Sequence, residues 1–307
     1  MDSLAAIPDV CEVMHLRGSA AAPDAVPDLL IEVPHGATRA VHFTKLRAEL
    51  RGEYPADLQD FFFVNTDVGA PEVAVAVAQH YVAALPRRSA VVVRCLIPRT
   101  FVDCNRVIDA DVEPKASAAG EMTPGLQAYV RDLGDRRLLL ERYGAYRELV
   151  TRAYEKVCGG GGFGVMLHSY APRSIDVPVD ERIVERLRRE YEVGRIGSWP
   201  LRAEVDFIAK DEAGRVLGSQ RLLDGVGEEV RRAGYGVAVG ATYALHPVTM
   251  AYQFAVRYPG KTLCLEVRRD LLVGEFRAFE EMCGEVGRVG RIGGAVGRGV
   301  VGVVGGE

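Results

Sequence analysis

The sequence predicts an α/β protein: a single domain with a mixed central β-sheet flanked by helices. Short apolar runs at 29–33, 61–65, 91–97, 162–167, 235–239 and 262–267 have the length of buried strands. Helical patterns lie between most of them, an alternation that packs helices against a sheet. Several runs also end in residues able to do chemistry, at the strand ends where α/β proteins build their sites.

The first run, Leu29 to Val33, leads into Pro34-His35-Gly36, which leaves an imidazole at a strand exit. The second, Phe61 to Asn65, leads into Thr66-Asp67. Pro71 then opens a helix that Ala and Val positions carry to about Leu85. The third run is followed by Arg99-Thr-Phe-Val-Asp103-Cys-Asn105-Arg106, two guanidiniums and an amide close together. Pro124 opens a longer helix through Val157, and the glycines from Gly159 to Gly162 stop it before the strand that ends in His168-Ser169-Tyr170. Residues 195–224 alternate around the turn Asp211-Glu-Ala-Gly214, as expected of a β-hairpin inserted beside the main sheet. The last run, from Thr262, carries Glu266. Residues 1–283 are thus expected to form the catalytic domain. The segment 284–307 is mostly Gly, Val and Arg, and such glycine density makes ordering costly, so it reads as a mobile tail.

A chain of 307 residues can bury one large core. A net charge of −4 gives no basic footprint for nucleic acid. The sequence shows no run expected to act as a signal peptide or membrane helix. The six cysteines have no C-x-x-C spacing, which fits a reducing, cytoplasmic setting.

His35 and His168, placed on equivalent strand ends, suggest a metal site. A catalytic zinc takes three protein ligands and keeps one open position, so a carboxylate should join them. Asp67 is the candidate, although it could equally cap the helix near Pro71. Glu72 is the other, although the helix dipole explains an acidic residue there as well. A buried Glu266 needs a partner or a chemical task. It could pair with Arg268 or Arg94, or act as general base and then acid beside an activated water. Arg99, Asn105 and Arg106 supply a cation for a developing oxyanion and a planar fork for a substrate carboxylate.

Pro34-His35-Gly36, Arg99-x-x-x-Asp103-x-Asn105-Arg106, His168-Ser169 and Leu265-Glu266-Val-Arg268 occur in an order that resembles the N-formylglutamate amidohydrolase family, itself similar to zinc carboxypeptidases and aspartoacylases. The resemblance spans about residues 29 to 272 and implies a carboxypeptidase-like, phosphorylase/hydrolase-like fold. It implies one zinc ion per chain on His35 and His168, with Glu266 as base and Arg99 as oxyanion stabiliser. Asn105 and Arg106, with Ser169 nearby, would hold the substrate. The chain departs from the related pattern in two places. Thr38 stands where carboxypeptidases carry their carboxylate ligand, which leaves that role to Asp67. The stretch Gly240 to Tyr252 replaces a loop with Asn and paired glycines by bulkier residues, so Tyr243 and His246 are expected to shape the pocket.

The expected activity is hydrolysis of the amide of a small carboxylate-bearing N-acyl amino acid such as N-formylglutamate. A carboxypeptidase-like or peptide amidase activity on short peptides uses the same machinery. A reading from another class is a metal-free protein that binds an acidic ligand through Arg99 and Arg106.

Overall fold

The computed structural model describes residues 4–109, 113, 115–119 and 121–306. Among them, β1 (Cys11–Arg17), β2 (Leu29–Val33), β3 (Ser89–Cys95), β4 (Phe163–Tyr170), β5 (Val205–Phe207), β6 (Val237–Val239) and β7 (Thr262–Arg268) form one sheet in the order β1-β3-β2-β4-β7-β5-β6. The four central strands, β3, β2, β4 and β7, are parallel, so their C-terminal ends share one rim. β1 and β5 pair antiparallel at either flank, which makes the sheet mixed. The helices are α1 (Ala40–Glu49), α2 (Leu58–Asn65), α3 (Ala70–Ala84), α4 (Leu133–Val157), α5 (Ile183–Glu190), α6 (Val193–Ile196), α7 (Gln220–Arg232), α8 (Met250–Arg257) and α9 (Val286–Val304).

Side-chain alternation along the strands decides what each face receives. Leu29, Ile31 and Val33 of β2, Phe163, Val165 and Leu167 of β4, and Leu263, Leu265 and Val267 of β7 join one core with α3, α7 and α9. The intervening residues point to the other face, where α1, α2, α4 and α8 supply the second core. Glu32, His168 and Glu266 therefore occupy one face, and His168 is directly opposite Glu266 in the β4–β7 register.

Four expectations change. The apolar run 61–65 is not a strand but part of α2, whose residues from Phe61 to Val64 are all buried. A short apolar run carries no period that separates a buried helix from a buried strand. In 195–224 only the isolated bridge Lys210↔Val216 remains of the hairpin; β5 belongs to the main sheet, and α6 and α7 flank it. The segment 284–307 is not a loose tail: α9 packs between α3 and α7 and buries Val289, Ile292, Val296, Val300 and Val303 at helical spacing. Its glycines let backbones approach. A Cβ on Gly299 would sit 2.4 Å from Val226 Cα, and one on Gly293 would sit 2.6 Å from Ala76 Cβ. Pro124 also opens no helix directly, since α4 starts at Leu133 with Asp132 accepting the Asp135 N–H as its cap.

Candidate metal centre and substrate cavity

β2 delivers His35, the turn after α2 delivers Asp67, and β4 delivers His168. Each is almost fully buried. His35 Nδ1 lies 3.3 Å from Asp67 Oδ2, His168 Nδ1 lies 2.9 Å from the same oxygen, and the two Nδ1 atoms are 3.2 Å apart. Ligands about 2.0–2.1 Å from a tetrahedral zinc stand about 3.3 Å from one another, which this triangle approaches. His35 Nε2 is 2.7 Å from Asp103 Oδ1. If that nitrogen carries the proton, His35 Nδ1 presents a lone pair to the triangle, as metal-bound histidines do. Converging lone pairs and a carboxylate oxygen call for a cation between them.

Burial pushes Asp67 up, but His35 and His168 beside it overcome that and hold the carboxyl well below its usual range. Its Oδ1 accepts no hydrogen bond and has the guanidiniums of Arg99 and Arg269 at 3.8 Å. Asp67 does not cap α3, whose N-cap is Gly69, and Glu72 lies on the exposed side of the first turn of that helix. Asp67, rather than Glu72, joins the histidines. Asp103 is held ionised against its burial by Arg106, His35 and Arg99.

Glu266 has neither of the ion-pair partners its sequence suggested. Arg268 turns to Asp270 at 2.8 Å and Glu204 at 3.8 Å, and Arg94 turns to Glu12 and the Gly36 carbonyl. Glu266 Oε2 is enclosed with no protein hydrogen bond. Burial pushes this carboxyl up to about 7, with His168 opposing the shift and Asp67 adding to it.

A cavity of about 510 Å³ opens over these groups. Arg99 lines it and is fixed by Asp103 at 2.9 Å. Asn105 also lines it; its Nδ2 is 3.4 Å from His168 Nε2, and its Oδ1 accepts the Ala251 N–H. Arg106 lies deeper, and its guanidinium donates to the Thr123 carbonyl and hydroxyl. Ser169 donates its backbone N–H to Asp67 Oδ2 and its hydroxyl to the Val68 carbonyl, which places it beneath the triangle. Tyr243 is on the cavity wall. His246 is not: its ring accepts the Val248 N–H and has exposed Glu212 at 3.6 Å, which turns it toward solvent.

Three residues gained no role from sequence reasoning. Asp103 stood within a recognised motif, and an acid spaced between two arginines was the available signal. Arg269, next to the Arg268 of the motif, is the buried one, and it donates to the Ser169 and Val64 carbonyls. Arg202 sits in the segment read as an insertion. It is 5.0 Å from the Tyr170 ring, donates to the Tyr243 hydroxyl at 2.8 Å, and pairs with no carboxylate among the described residues. Nothing in the local sequence marked it.

No protein-family profile matches the chain, and no curated protein matches it by sequence. Among solved structures it is similar to N-formylglutamate amidohydrolase from Ralstonia eutropha JMP134, with a TM-score of 0.57 and 18% identity over 97% of this chain and 100% of that one. It is also similar to gene product Atu2144 from Agrobacterium tumefaciens, with a TM-score of 0.53 and 16% identity over 97% and 95% of the two chains. At such identities the likeness is one of fold: a mixed α/β sheet flanked by helices.

Proposed function

We propose that this protein is a zinc-dependent hydrolase that cleaves the amide of an N-acyl amino acid such as N-formylglutamate. The convergence of His35 Nδ1, Asp67 Oδ2 and His168 Nδ1 on one buried point, with the Glu266 carboxyl beside it on the neighbouring strand, carries this reading. Two nitrogens and one oxygen suit zinc among the divalent ions. When bound, such an ion supplies Lewis acidity to an amide carbonyl and to water. Glu266, its carboxyl pushed up to about 7 and free of ion-pair duty, is poised to take the proton from the attacking water and return it to the leaving nitrogen. Arg99, anchored by Asp103 and facing the cavity, stabilises the oxyanion. Arg202, at the cavity wall with no carboxylate partner among the described residues, holds the substrate carboxylate beside Asn105, and Arg106 serves as counter-charge to Asp103. The unpaired cysteines, five of them buried, suit a reducing cytoplasmic setting.

A metal-free acidic-ligand binder would give no reason for two imidazole nitrogens and a carboxylate oxygen to converge on one buried point. The test is elemental analysis of the purified protein, followed by hydrolysis assays of the metal-loaded form on N-formyl, N-acetyl and dipeptide substrates. Turnover that depends on metal and is lost in Glu266→Gln supports the reading. A metal-loaded protein that cleaves none of them overturns it.

A further inference from the structure

Two polar side chains on the cavity wall have no task in the chemistry described so far. Gln127 is 3% exposed and Ser117 5%, and both line the cavity. Gln127 Oε1 and Ser117 Oγ are enclosed, and neither has a hydrogen-bond partner among the described residues. A buried polar atom without a partner is costly, so folded proteins keep few of them. Glu266 Oε2 is the other such atom on this wall, and it belongs to the residue assigned the proton transfer.

Gln127 is held by the same backbone that carries the site. Its N–H reaches the Phe101 carbonyl at 3.4 Å, the Gly125 carbonyl accepts the Asp103 N–H at 2.6 Å, and Val102 bridges Leu126. The donors beside it in the chain are taken. Arg106 donates to the Thr123 carbonyl and hydroxyl, and the Tyr129 hydroxyl donates to the Thr100 carbonyl. The partner of the Gln127 amide is left to a molecule in the cavity.

Charge decides what that partner is. An ammonium group would enter a cavity lined by the guanidiniums of Arg99, Arg106, Arg173, Arg202 and Arg269. A second carboxylate could meet only the N–H end of the amide and would leave Oε1 unpaired, since both are acceptors. It would also find the cations occupied: Arg99 and Arg106 face Asp103, Arg269 faces Asp67, and Arg173 donates to the Trp199 carbonyl at 2.6 Å. Arg202 remains for one carboxylate, that of the amino acid. An uncharged donor fits Gln127. A formyl group has none, and the scissile nitrogen belongs beside Glu266, so the amino-acid side chain carries it.

We infer that Gln127, with Ser117, forms a specificity subsite for an uncharged hydrogen-bond donor on the substrate side chain, so that the site takes an N-acyl amino acid bearing a carboxamide, such as glutamine, in preference to glutamate. The inference rests on the hydrolase reading above and narrows the substrate class within it. Leaving a buried acceptor unpaired in a complex costs about a factor of ten or more in affinity.

The test measures binding so that it does not depend on turnover. Zinc-loaded Glu266→Gln protein is titrated by calorimetry with N-formylglutamine, N-formylglutamate and N-formylmethionine, whose side chains are similar in length, and the titrations are repeated with Gln127→Met added. N-formylglutamine should bind at least about tenfold more tightly than either of the others, and Gln127→Met should remove most of that advantage. Because Gln127→Met deletes an amide that the unliganded protein leaves unpaired, its Tm should be no lower than that of its parent. N-formylglutamine that binds no more tightly than the other two compounds overturns the inference. So does an advantage that survives Gln127→Met, or a Tm that falls, which would make the amide a structural group. Hydrolysis of the same compounds by the wild-type protein is measured alongside. Absence of all turnover counts against the hydrolase reading, while the binding order and the Tm decide the role of Gln127.

Discussion

His35 and Asp103 are joined at 2.7 Å through the imidazole Nε2, on the side of the ring opposite the Nδ1 that faces Asp67 and His168. With the proton on Nε2, that carboxylate holds the ring with Nδ1 turned to the triangle. Removing that second partner of a metal-bound histidine typically costs 10- to 100-fold in metal affinity. Asp103→Asn should weaken zinc binding by about that range while circular dichroism shows an intact fold. Competition against a chromogenic chelator measures it, and unchanged affinity would reduce Asp103 to an anchor for Arg99 and Arg106.

Arg202 and Arg106 should separate in their effects. Arg202 lines the cavity, donates only to the neutral Ser174, Ala171 and Tyr243 oxygens and has no carboxylate partner among the described residues, whereas Arg106 lies 3.7 Å from the Asp103 carboxylate. A hydrogen bond to a charged group is worth about 1.5–3 kcal/mol, so Arg202→Ala should raise KM for a carboxylate-bearing substrate by about 10- to 100-fold. The same change should matter little for the amidated analogue. Arg106→Ala should instead lower the urea midpoint, because it leaves the buried Asp103 short of a counter-charge. Equal losses on both substrates in Arg202→Ala would contradict the assignment.

Glu32 makes stability depend on pH. It is fully buried between the sheet and α4, accepts a hydrogen bond from Tyr146 at 2.9 Å, and burial pushes its carboxyl up to about 7 against the Tyr146 and Tyr154 hydroxyls. Between an unfolded value near 4.5 and the folded value near 7, the folded state keeps a proton that the unfolded chain has released. Stability from this group is therefore complete below about pH 4.5 and is lost as pH rises to 7, a change of about 3 kcal/mol at most. Urea denaturation of wild type and Glu32→Gln at pH 4.5 and 7.5 should show the difference moving in the variant's favour at the higher pH. A difference that does not change with pH would show that Glu32 ionises normally.

Two glycines of α9 should respond in opposite directions. Gly299→Ala places a methyl 2.4 Å from Val226 Cα, which is backbone, and overpacking of this kind costs about 1–3 kcal/mol. A Cβ on Gly302 meets nothing within 4 Å, so Gly302→Ala should stabilise by about 0.5–1 kcal/mol through helix propensity alone. Thermal denaturation of the two variants checks the pair. Similar Tm values would mean that α9 does not pack against α7 as described.

The parts of the fold visible in the sequence were those with a strong local signal. Five of the six apolar runs become strands because they end in glycine, proline or charged residues and are rich in Val, Leu and Ile. The run at 61–65 was misread because Phe-Phe-Phe-Val has no period, and only its tertiary packing, with Phe62 against Phe43, settles it as a helix. The glycine-rich C-terminus misled for a related reason. Glycine's entropic cost is local and legible, whereas the close approach to α3 and α7 that offsets it is tertiary. At the candidate centre, the strand ends exposed His35 and His168, and the missing acid at Thr38 pointed to Asp67. Arg202 stayed hidden because it is contributed by a short connection before β5, and its role depends on Tyr170 and Tyr243 from distant parts of the chain.

The central claim is that His35, Asp67 and His168 hold one divalent ion. Anomalous diffraction at the zinc edge, from crystals of protein stripped and then reloaded with one equivalent of zinc, tests it most directly. The account predicts a single strong peak enclosed by His35 Nδ1, Asp67 Oδ2 and His168 Nδ1, lost in His168→Ala crystals. A peak at any other group of side chains, or none at this one under those conditions, would contradict it.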